Sequence, residues 1–284
     1  MSSLPIDSLQ SEFLSLLTQH HVIVEAETGS GKSTRLPIWA SSLGRVLVIE
    51  PRRIACTSLA LYLADEAQQE VGKSVGYAIK LETRFNQETP VVFVTPGVAL
   101  RWFSENQLSD FDIIIVDEFH ERRWDIDLLV AILKQTRQHK LVITSATIDG
   151  TKLAQYLDAK RITSKGRNYD VSVVFHSRDS KQLPDVRGIE ARVKDEVMKL
   201  AGCKGDILVF LPGRKEIAQC QSVLADIEDI VSIPLHASVT EQERCLALNI
   251  QSFKKVVLAT NVAETSLTIP NVVAVIDSGL ERRT

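Results

Sequence analysis

A short apolar run in the middle of the chain constrains the fold more than any other feature of the sequence. Ile113–Val116 is four β-branched residues without polar alternation, and two carboxylates, Asp117 and Glu118, follow at once. A continuous run of this kind is typical of a strand buried on both faces of a parallel sheet. Ligands of open α/β sheets bind beyond the carboxyl ends of the strands. The run therefore predicts a parallel sheet with an acidic ligand site at one edge.

Similar runs alternate with helical patterns through the first half of the chain. The predicted strands are residues 22–26, 46–49, 91–94, 113–116 and 141–143. The predicted helices cover residues 4–19, a long stretch after residue 53 with Ala55, Leu59, Leu63 and Ala67 facing the sheet, residues 125–135, and a segment beginning near Asp149. Strands that alternate with helices predict an α/β fold with a doubly wound parallel sheet.

The alternation is interrupted at residues 165–169, which we interpret as a linker, and then begins again. Further strands are predicted at residues 171–175, 207–211, 231–235, 256–259 and 272–276, and helices at 189–200 and 240–251. The sequence therefore predicts two domains of the same α/β type, at residues 1–164 and 165–284.

Composition limits the classes of partner and compartment. The net charge is −3, so a nucleic-acid partner would need a local basic track, because there is no global positive field. Four cysteines are scattered without a metal-like CxxC pair, as expected of reduced thiols in a cytosolic protein. No apolar run approaches the about 18 residues of a membrane span. The first ten residues lack the pattern of a secretory signal. We therefore expect a cytoplasmic protein with no membrane partner, acting as a monomer.

A glycine-rich segment follows the first predicted strand and predicts a phosphate-binding loop. It consists of Glu27, Thr28, Gly29, Ser30, Gly31, Lys32, Ser33 and Thr34. The glycines let the backbone close around phosphates, Lys32 reaches the β- and γ-phosphates, and the Ser33 hydroxyl reaches Mg²⁺. Ala26 stands where the strict pattern has glycine, so a structural glycine-rich turn is the alternative. Pro37 predicts a kink in the helix that follows.

The phosphate-binding loop gives the two carboxylates a chemical role. Asp117 is expected to hold Mg²⁺ together with Ser33, and Glu118 to take a proton from the attacking water. The alternative is an acidic strand edge that caps a helix. His120 is either structural or connects the nucleotide site to a neighbouring element.

Polar residues also follow other predicted strands. Arg52 and Arg53 come after residues 46–49 and are either phosphate ligands or a solvated charge pair. A hydroxyl cluster at residues 144–147 follows the strand at 141–143, and its alternative role is to cap the next helix.

Seven motifs, taken together, resemble those of the superfamily 2 DEAH/RHA RNA helicases, and their bacterial Hrp-type members most closely. They lie, in the family's order, at residues 26–33, 51–53, 95–97, 117–122, 145–147, 210–213 and 259–268. The resemblance covers nearly the whole chain. Each motif alone is weak or moderate evidence, whereas seven in order are specific.

The resemblance implies two tandem RecA-like domains that hydrolyse ATP, or another NTP, in the cleft between them and step along single-stranded RNA or DNA. Lys32, Ser33, Asp117 and Glu118 would perform the chemistry. His120, Ser145 and Thr147 would couple it to domain movement. Tyr62 takes the position of a residue that stacks on the base, although it is otherwise an ordinary half-buried helix residue. Contacts to the nucleic-acid backbone would come from Arg52, Arg53, Thr95, Gly97, Gly213, Arg214, Thr260 and Asn261. Such binding should be salt-sensitive and sequence-tolerant.

The sequence departs from the family pattern in four places, one of which is Tyr62, where the family often has an arginine that stacks on the nucleotide base. Phe119 replaces the usual alanine, and Pro96 replaces a usual acidic residue beside Thr95. The family's arginine-finger motif would follow the strand at 272–276, and the sequence ends at Thr284 without it, so the second domain is expected to be incomplete. An ATP- and RNA-binding protein with little turnover is therefore the alternative function. The second α/β unit argues against a third possibility, a small-molecule kinase.

Overall fold

The structure is a computed structural model that describes residues 4–146, 150–164, 170–176, 179, 183–263 and 269–282. The chain divides into two compact units, Met1–Tyr169 and Asp170–Thr284. The predicted linker at residues 165–169 lies outside the described residues.

The first unit is an α/β structure around one sheet. Its strands are β1 (His21–Ala26), β2 (Val46–Ile49), β3 (Val75–Ile79), β4 (Glu82–Arg84), β5 (Val91–Val94), β6 (Ile113–Val116), β7 (Lys140–Ser145) and β8 (Ala159–Ser164). Its helices are α1 (Gln10–Leu17), α2 (Lys32–Ala40), α3 (Arg53–Glu66), α4 (Pro96–Asn106), α5 (Trp124–Thr136) and α6 (Gly150–Leu157), with 3₁₀ helices at Pro5–Leu9 and Phe119–Glu121.

The sheet has the order β4-β3-β5-β2-β6-β7-β1-β8 and is parallel except for the antiparallel pair β3–β4. The strands β2, β5 and β6 are buried along their whole length, as their apolar runs predict. On one face, the core joins β1, β2, β5, β6 and β7 to α4, α5 and α6. The predicted doubly wound parallel sheet is confirmed.

Strand β7 lies between β1 and β6 and determines what meets at the sheet edge. Val142 of β7 is in register with Val22 of β1 and with Ile115 of β6. Because the three strands are parallel, the segments that follow Ala26 and Val116 emerge at the same edge. The predicted phosphate-binding loop and the two carboxylates are therefore at the same edge of the sheet, beyond the carboxyl ends of its strands.

The second unit is a smaller α/β structure. Its strands are β9 (Asp206–Phe210), β10 (Ile230–Leu235), β11 (Lys254–Ala259) and β12 (Val272–Asp277), and its helices are α7 (Ile189–Lys199), α8 (Arg214–Leu224) and α9 (Glu241–Leu248), with a 3₁₀ helix at Asn261–Ala263. The strands are parallel in the order β10-β11-β9-β12. The core on one face includes α7 and α8, and a separate cluster on the other face includes α9.

Two predictions about local structure are wrong. Residues 171–175 form no strand, and the side chains of Val171 and Phe175 are exposed. Their apolar character predicts a strand only if a neighbouring strand supplies hydrogen bonds, and the sheet of the second unit does not include them. Ala67 is exposed because α3 ends one residue earlier, at Glu66.

Several elements were not predicted, namely β3, β4, β8, α4 and α8. In β3, Gly76 interrupts the apolar run, and the structure requires glycine there because a Cβ would overlap the carbonyl oxygen of Arg84 in β4. The N-terminal segment is divided between the 3₁₀ helix and α1, and α2 continues through Pro37 to Ala40. Among the described helices, none has both the length and the apolar character needed to cross a bilayer.

Candidate active site

The loop between β1 and α2, which is the predicted phosphate-binding loop, has both of its glycines in a left-handed backbone conformation. Gly29 and Gly31 have φ angles of 77° and 97°, in the left-handed region that favours glycine. A Cβ at Gly31 would also lie 2.7 Å from Leu4 Cδ1, so a larger residue would displace the Leu4 side chain. The loop therefore ends at Gly31, immediately before the N-terminus of α2, where unsatisfied N–H groups favour an anion.

The side chain of Lys32 lies inside this loop and is 4% exposed. Its Nζ donates hydrogen bonds to the carbonyl oxygens of Ala26, at 2.5 Å, and Glu27, at 2.9 Å. Ser30 is also buried, and its Oγ has no hydrogen-bond partner among the described residues. A buried cation beside an unsatisfied hydroxyl is a site that an anionic group would complete. Ser33 and Thr34 are half-buried in the first turn of α2, while Glu27 and Thr28 are exposed.

The carboxylates of Asp117 and Glu118 are almost completely buried at the end of β6. Asp117 Oδ1 accepts a hydrogen bond from the Glu118 N–H, at 2.9 Å, and another from the Thr144 hydroxyl. Asp117 Oδ2 and Glu118 Oε2 have no hydrogen-bond partner among the described residues. Glu118 adopts a left-handed backbone conformation with φ 51°, which costs roughly 1–3 kcal/mol for a residue other than glycine.

Burial and the neighbouring charge of Asp117 raise the pKa of Glu118 to about 8, and the charge of Lys32 opposes this shift. Glu118 Oε2 lies 3.3 Å from His120 Nδ1, and burial lowers the pKa of His120. Both shifts favour the neutral forms of the Glu118 carboxyl and the His120 imidazole. A pKa near the working pH is the property expected of a proton acceptor in catalysis.

The oxygen atoms at this edge fit a magnesium ion. Mg²⁺ prefers hard oxygen ligands, usually one or two carboxylates together with substrate phosphates. The unpartnered Oδ2 of Asp117 supplies such a carboxylate, and Ser33 supplies a half-buried hydroxyl at the start of α2.

The predicted coupling residues lie on the same edge. Ser145 is completely buried at the end of β7, and His120 lies in the 3₁₀ helix that follows Glu118. Thr147 lies outside the described residues. Thr144 belongs to the predicted hydroxyl cluster, and no role was predicted for it. Its contact with Asp117 follows from strand register, because Ile143 pairs with Val116 and places Thr144 beside Asp117.

Arg52, a predicted nucleic-acid ligand, is already paired with a residue of the candidate active site. Its guanidinium lies 3.0 Å from the carboxylate of Glu121, within the 3₁₀ helix that follows Glu118. Arg53 donates to the carbonyl oxygen of Lys80 at 3.4 Å. Arg52 therefore connects the end of β2 to the 3₁₀ helix at Phe119–Glu121.

The other predicted ligands of the first unit surround this edge. Thr95 is the N-cap residue of α4, its carbonyl accepts the N–H groups of the first turn, and Gly97 is exposed. Tyr62 is 52% exposed on α3, and burial followed by the charge of Glu66 raises its pKa. Glu66 lies 3.6 Å from Arg35 of α2, so Tyr62 is near the helix that begins at the phosphate-binding loop.

In the second unit, the predicted ligands lie at the carboxyl edge of its own sheet. Ala259 of β11 is in register with Phe210 of β9, so Thr260 and Gly213 follow neighbouring parallel strands. Gly213 is the N-cap residue of α8, and Arg214 Nη1 lies 3.4 Å from Ser238 Oγ. Asn261 Nδ2 donates to Glu281 Oε1 at 3.0 Å. Residues 264–268 of the last motif lie outside the described residues.

Comparison with known proteins gives matches over both units. Residues 7–156 match the family model described as DEAD/DEAH box helicase, and residues 191–284 match the helicase conserved C-terminal domain. The chain is 36% identical over 299 residues to an ATP-dependent RNA helicase HrpA homolog of Haemophilus influenzae, an alignment that covers 99% of this chain and 22% of that protein. It is 35% identical to the ATP-dependent RNA helicase HrpB of Escherichia coli, with 99% of this chain and 36% of that protein covered.

A solved structure agrees with these sequence matches. The crystal structure of the Escherichia coli DEAH/RHA helicase HrpB superposes with a TM-score of 0.85 and 34% identity, covering 97% of this chain and 37% of that one. The chain thus spans between 22% and 37% of the length of these relatives.

Proposed function

Because this chain belongs to the DEAD/DEAH box helicase family, we propose that it binds ATP with Mg²⁺ and hydrolyses it to move along single-stranded RNA or DNA. The observation that supports this most is the pair of buried carboxylates beside a phosphate-binding loop, with unpartnered oxygens on Asp117 and Glu118. The matched relatives are named as RNA helicases, which favours RNA as the substrate.

In this proposal, the triphosphate replaces the contacts that now hold Lys32. The ammonium would leave the carbonyl oxygens of Ala26 and Glu27 for the β- and γ-phosphates. The N–H groups at the start of α2 and the buried Ser30 hydroxyl would bind further phosphate oxygens. Tyr62 would stack on the base, which a tyrosine does without strong base selectivity.

Ser33 and Asp117 would hold Mg²⁺, which when bound neutralises charge on the phosphates. The hydrogen bonds from the Glu118 N–H and the Thr144 hydroxyl orient Asp117 through Oδ1 and leave Oδ2 available. Partners of this kind tune a metal ligand without touching the metal.

Glu118 would accept the proton of the attacking water. It can do so only when ionised, and the nearby Lys32 favours that form. General-base help of this kind contributes about 10²–10⁴ in rate. His120, at 3.3 Å from the Glu118 carboxyl, is placed to exchange a proton with it.

Nucleic acid would bind through its phosphates at the carboxyl edges of the two sheets. Arg52, Arg53, Thr95 and Gly97 would contribute from the first unit and Gly213, Arg214, Thr260 and Asn261 from the second. Ser145, Thr147 and His120 would couple turnover to movement. We propose that the chain acts as a monomer. A cytoplasmic setting is supported by the free thiols of the described cysteines.

A nucleotide- and RNA-binding protein with little turnover is the second candidate. Burial raises the pKa of Glu118, and a carboxyl that stayed protonated with nucleotide bound could not accept a proton from water. ATPase assays with and without single-stranded RNA separate the two candidates.

Two substitutions test the proposal directly. Lys32→Ala should abolish binding of a fluorescent ATP analogue, whereas Glu118→Gln should bind it but lose about 10²–10⁴ of the RNA-stimulated turnover. Lys160→Ala, an exposed lysine on β8, is the control and should behave as the unchanged protein. Unchanged nucleotide binding by Lys32→Ala would show that the loop is only a structural turn. Binding without RNA-stimulated turnover in the unchanged protein would favour the second candidate.

A further inference from the structure

Glu25 is a partly unsatisfied carboxylate in the interior of the first unit that the proposed chemistry does not use. It lies in β1, directly before Ala26, and its side chain is 16% exposed. Oε2 lies 2.8 Å from Arg161 Nη2 of β8, while Oε1 is buried without a hydrogen-bond partner among the described residues. Burying an incompletely paired carboxylate costs stability, so an apolar residue would be the better choice for packing alone.

The same carboxylate is in close contact with the beginning of α6. Arg161 Nη1 donates to Thr151 Oγ1 at 2.8 Å while its Nη2 binds Glu25. Gly150, the first residue of α6, is buried, and a Cβ there would overlap Glu25 Oε1 and lie 3.0 Å from Arg161 Nε. The helix start is therefore fixed against the side chains of Glu25 and Arg161.

Glu25 also lies next to the end of β7. It is in register with Ser145, the last residue of β7. Gly150, the first residue of α6, follows Ser145 by five positions in the sequence. Ser145, at the end of β7, and Gly150, at the start of α6, are thus both neighbours of one carboxylate in β1.

The phosphate-binding loop is one residue away from this carboxylate. Lys32 Nζ donates to the carbonyl oxygen of Ala26 at 2.5 Å, and this bond would break if the ammonium moved from the loop to a phosphate. The Ala26 carbonyl oxygen would then lose its hydrogen bond from the Lys32 ammonium, and the backbone at the end of β1 could shift. Glu25 is the adjacent residue, and its side chain is bound to Arg161.

We propose that Glu25 is a positioning residue which, through Arg161, transmits the nucleotide state of the phosphate-binding loop to the beginning of α6. The proposal rests on the proposed nucleotide site. It assigns Glu25 and Arg161 no contact with the nucleotide, so their replacement should leave nucleotide affinity unchanged and alter what binding does to α6.

The test compares hydrogen exchange of the α6 amides with and without a non-hydrolysable ATP analogue and Mg²⁺. In the unchanged protein, nucleotide should change exchange in residues 150–157. In Glu25→Gln the analogue should bind with unchanged affinity, measured by fluorescence, but the change in α6 should be lost. Glu105→Gln, which removes the carboxylate of an exposed Arg101–Glu105 pair, is the matched control and should retain the change.

Two further variants keep the test decisive. Arg161→Gln removes the other partner at a more exposed position and should lose the same response even if Glu25→Gln folds poorly. The exchanged pair, Glu25→Arg with Arg161→Glu, should recover part of it. A full α6 response in Glu25→Gln or Arg161→Gln, or nucleotide binding without any α6 response in the unchanged protein, would overturn this proposal. Absence of nucleotide binding by the unchanged protein would instead overturn the proposed function.

Discussion

Asp117 differs from an ordinary buried carboxylate in the way its two oxygens are used. Oδ1 accepts hydrogen bonds from the Glu118 N–H and the Thr144 hydroxyl, whereas Oδ2 accepts none from the described residues. A buried acceptor without a donor costs about 1–3 kcal/mol. A cation at Oδ2 would remove this penalty, and Thr144 would determine the direction in which the oxygen points.

Thr144→Val removes the hydroxyl while keeping the shape of the side chain, and it should weaken Mg²⁺ binding at the site. Loss of a residue that orients a metal ligand typically costs about 10–100-fold in metal affinity. Titration of Mg²⁺ against the protein with a bound ATP analogue measures this effect. Thr163→Val, on the exposed side of β8, is the control. Equal Mg²⁺ affinity in the two variants would contradict a role for Thr144.

Single residues of the site were predictable when a motif specifies them. Lys32, Asp117 and Glu118 belong to such motifs, and the structure places them at one sheet edge. The ion pair between Arg52 and Glu121 was not predictable, because the contact depends on how two separate strands are arranged in the sheet. The roles of Tyr62 and of the nucleic-acid ligands remain predictions.

Among the secondary-structure elements, β11 shows why a local pattern can mislead. Lys254 and Lys255 are consecutive, and two adjacent lysines ordinarily indicate an exposed segment. In a strand they point to opposite faces. Lys254 Nζ bonds the carbonyl oxygen of Leu200 after α7 at 2.9 Å, and Lys255 Nζ bonds that of Ala247 in α9 at 2.7 Å. Each lysine therefore satisfies carbonyl groups at the end of a different helix, and Lys255 is completely buried.

The strands that were predicted correctly are mostly those buried on both faces, because burial requires an unbroken apolar run. The incorrect strand at residues 171–175 has apolar residues without a pairing partner, and pairing is a property of the whole sheet. The missed strand β4 is exposed along its three residues, so no apolar pattern indicates it. An unbroken apolar run thus predicts a strand, whereas β3, which Gly76 interrupts, and the exposed β4 lack this signal.

His21 connects β1 to β7 through its side chain, and this contact requires the neutral form. The Leu141 N–H donates to His21 Nδ1 at 3.0 Å, so protonation of Nδ1 would remove the acceptor. Burial, followed by the charge of Lys140, lowers the pKa of His21 below its usual value of 6.5. The unfolded chain therefore takes up the proton first as pH falls.

The contribution of His21 to stability should be fully present above pH 6.5 and be lost as pH falls through the lower pKa of the folded protein. His21→Asn keeps an acceptor for the Leu141 N–H and cannot be protonated. Urea unfolding between about pH 7.5 and about pH 5 should show a steeper loss of stability in the unchanged protein than in this variant. Parallel curves would contradict the assignment, and the comparison removes the effects of the other histidines.

At the scale of the whole molecule, the chain has two α/β units whose apolar clusters are each built from one unit. The motif order predicted the family, and the comparisons confirm it. With a net charge of −3, long-range attraction cannot bring a polyanion to either unit. Binding to nucleic acid would depend on a few local cations at the carboxyl edges of the sheets.

RNA binding should therefore be salt-sensitive, with a slope that is set by a small number of cations. The proposed ligands include three cations, Arg52, Arg53 and Arg214, and single-stranded nucleic acid contributes a slope of about 0.7 per neutralised phosphate, or about 2 in total. Fluorescence anisotropy of a labelled single-stranded RNA at several KCl concentrations measures this slope. Arg53→Gln should lower it by about 0.7, whereas Arg137→Gln, at the C-terminal end of α5 and hence at the opposite sheet edge, should not change it. A slope far above 2 would mean that RNA follows a basic track made by other residues, since the proposed contacts contain too few charges to produce it.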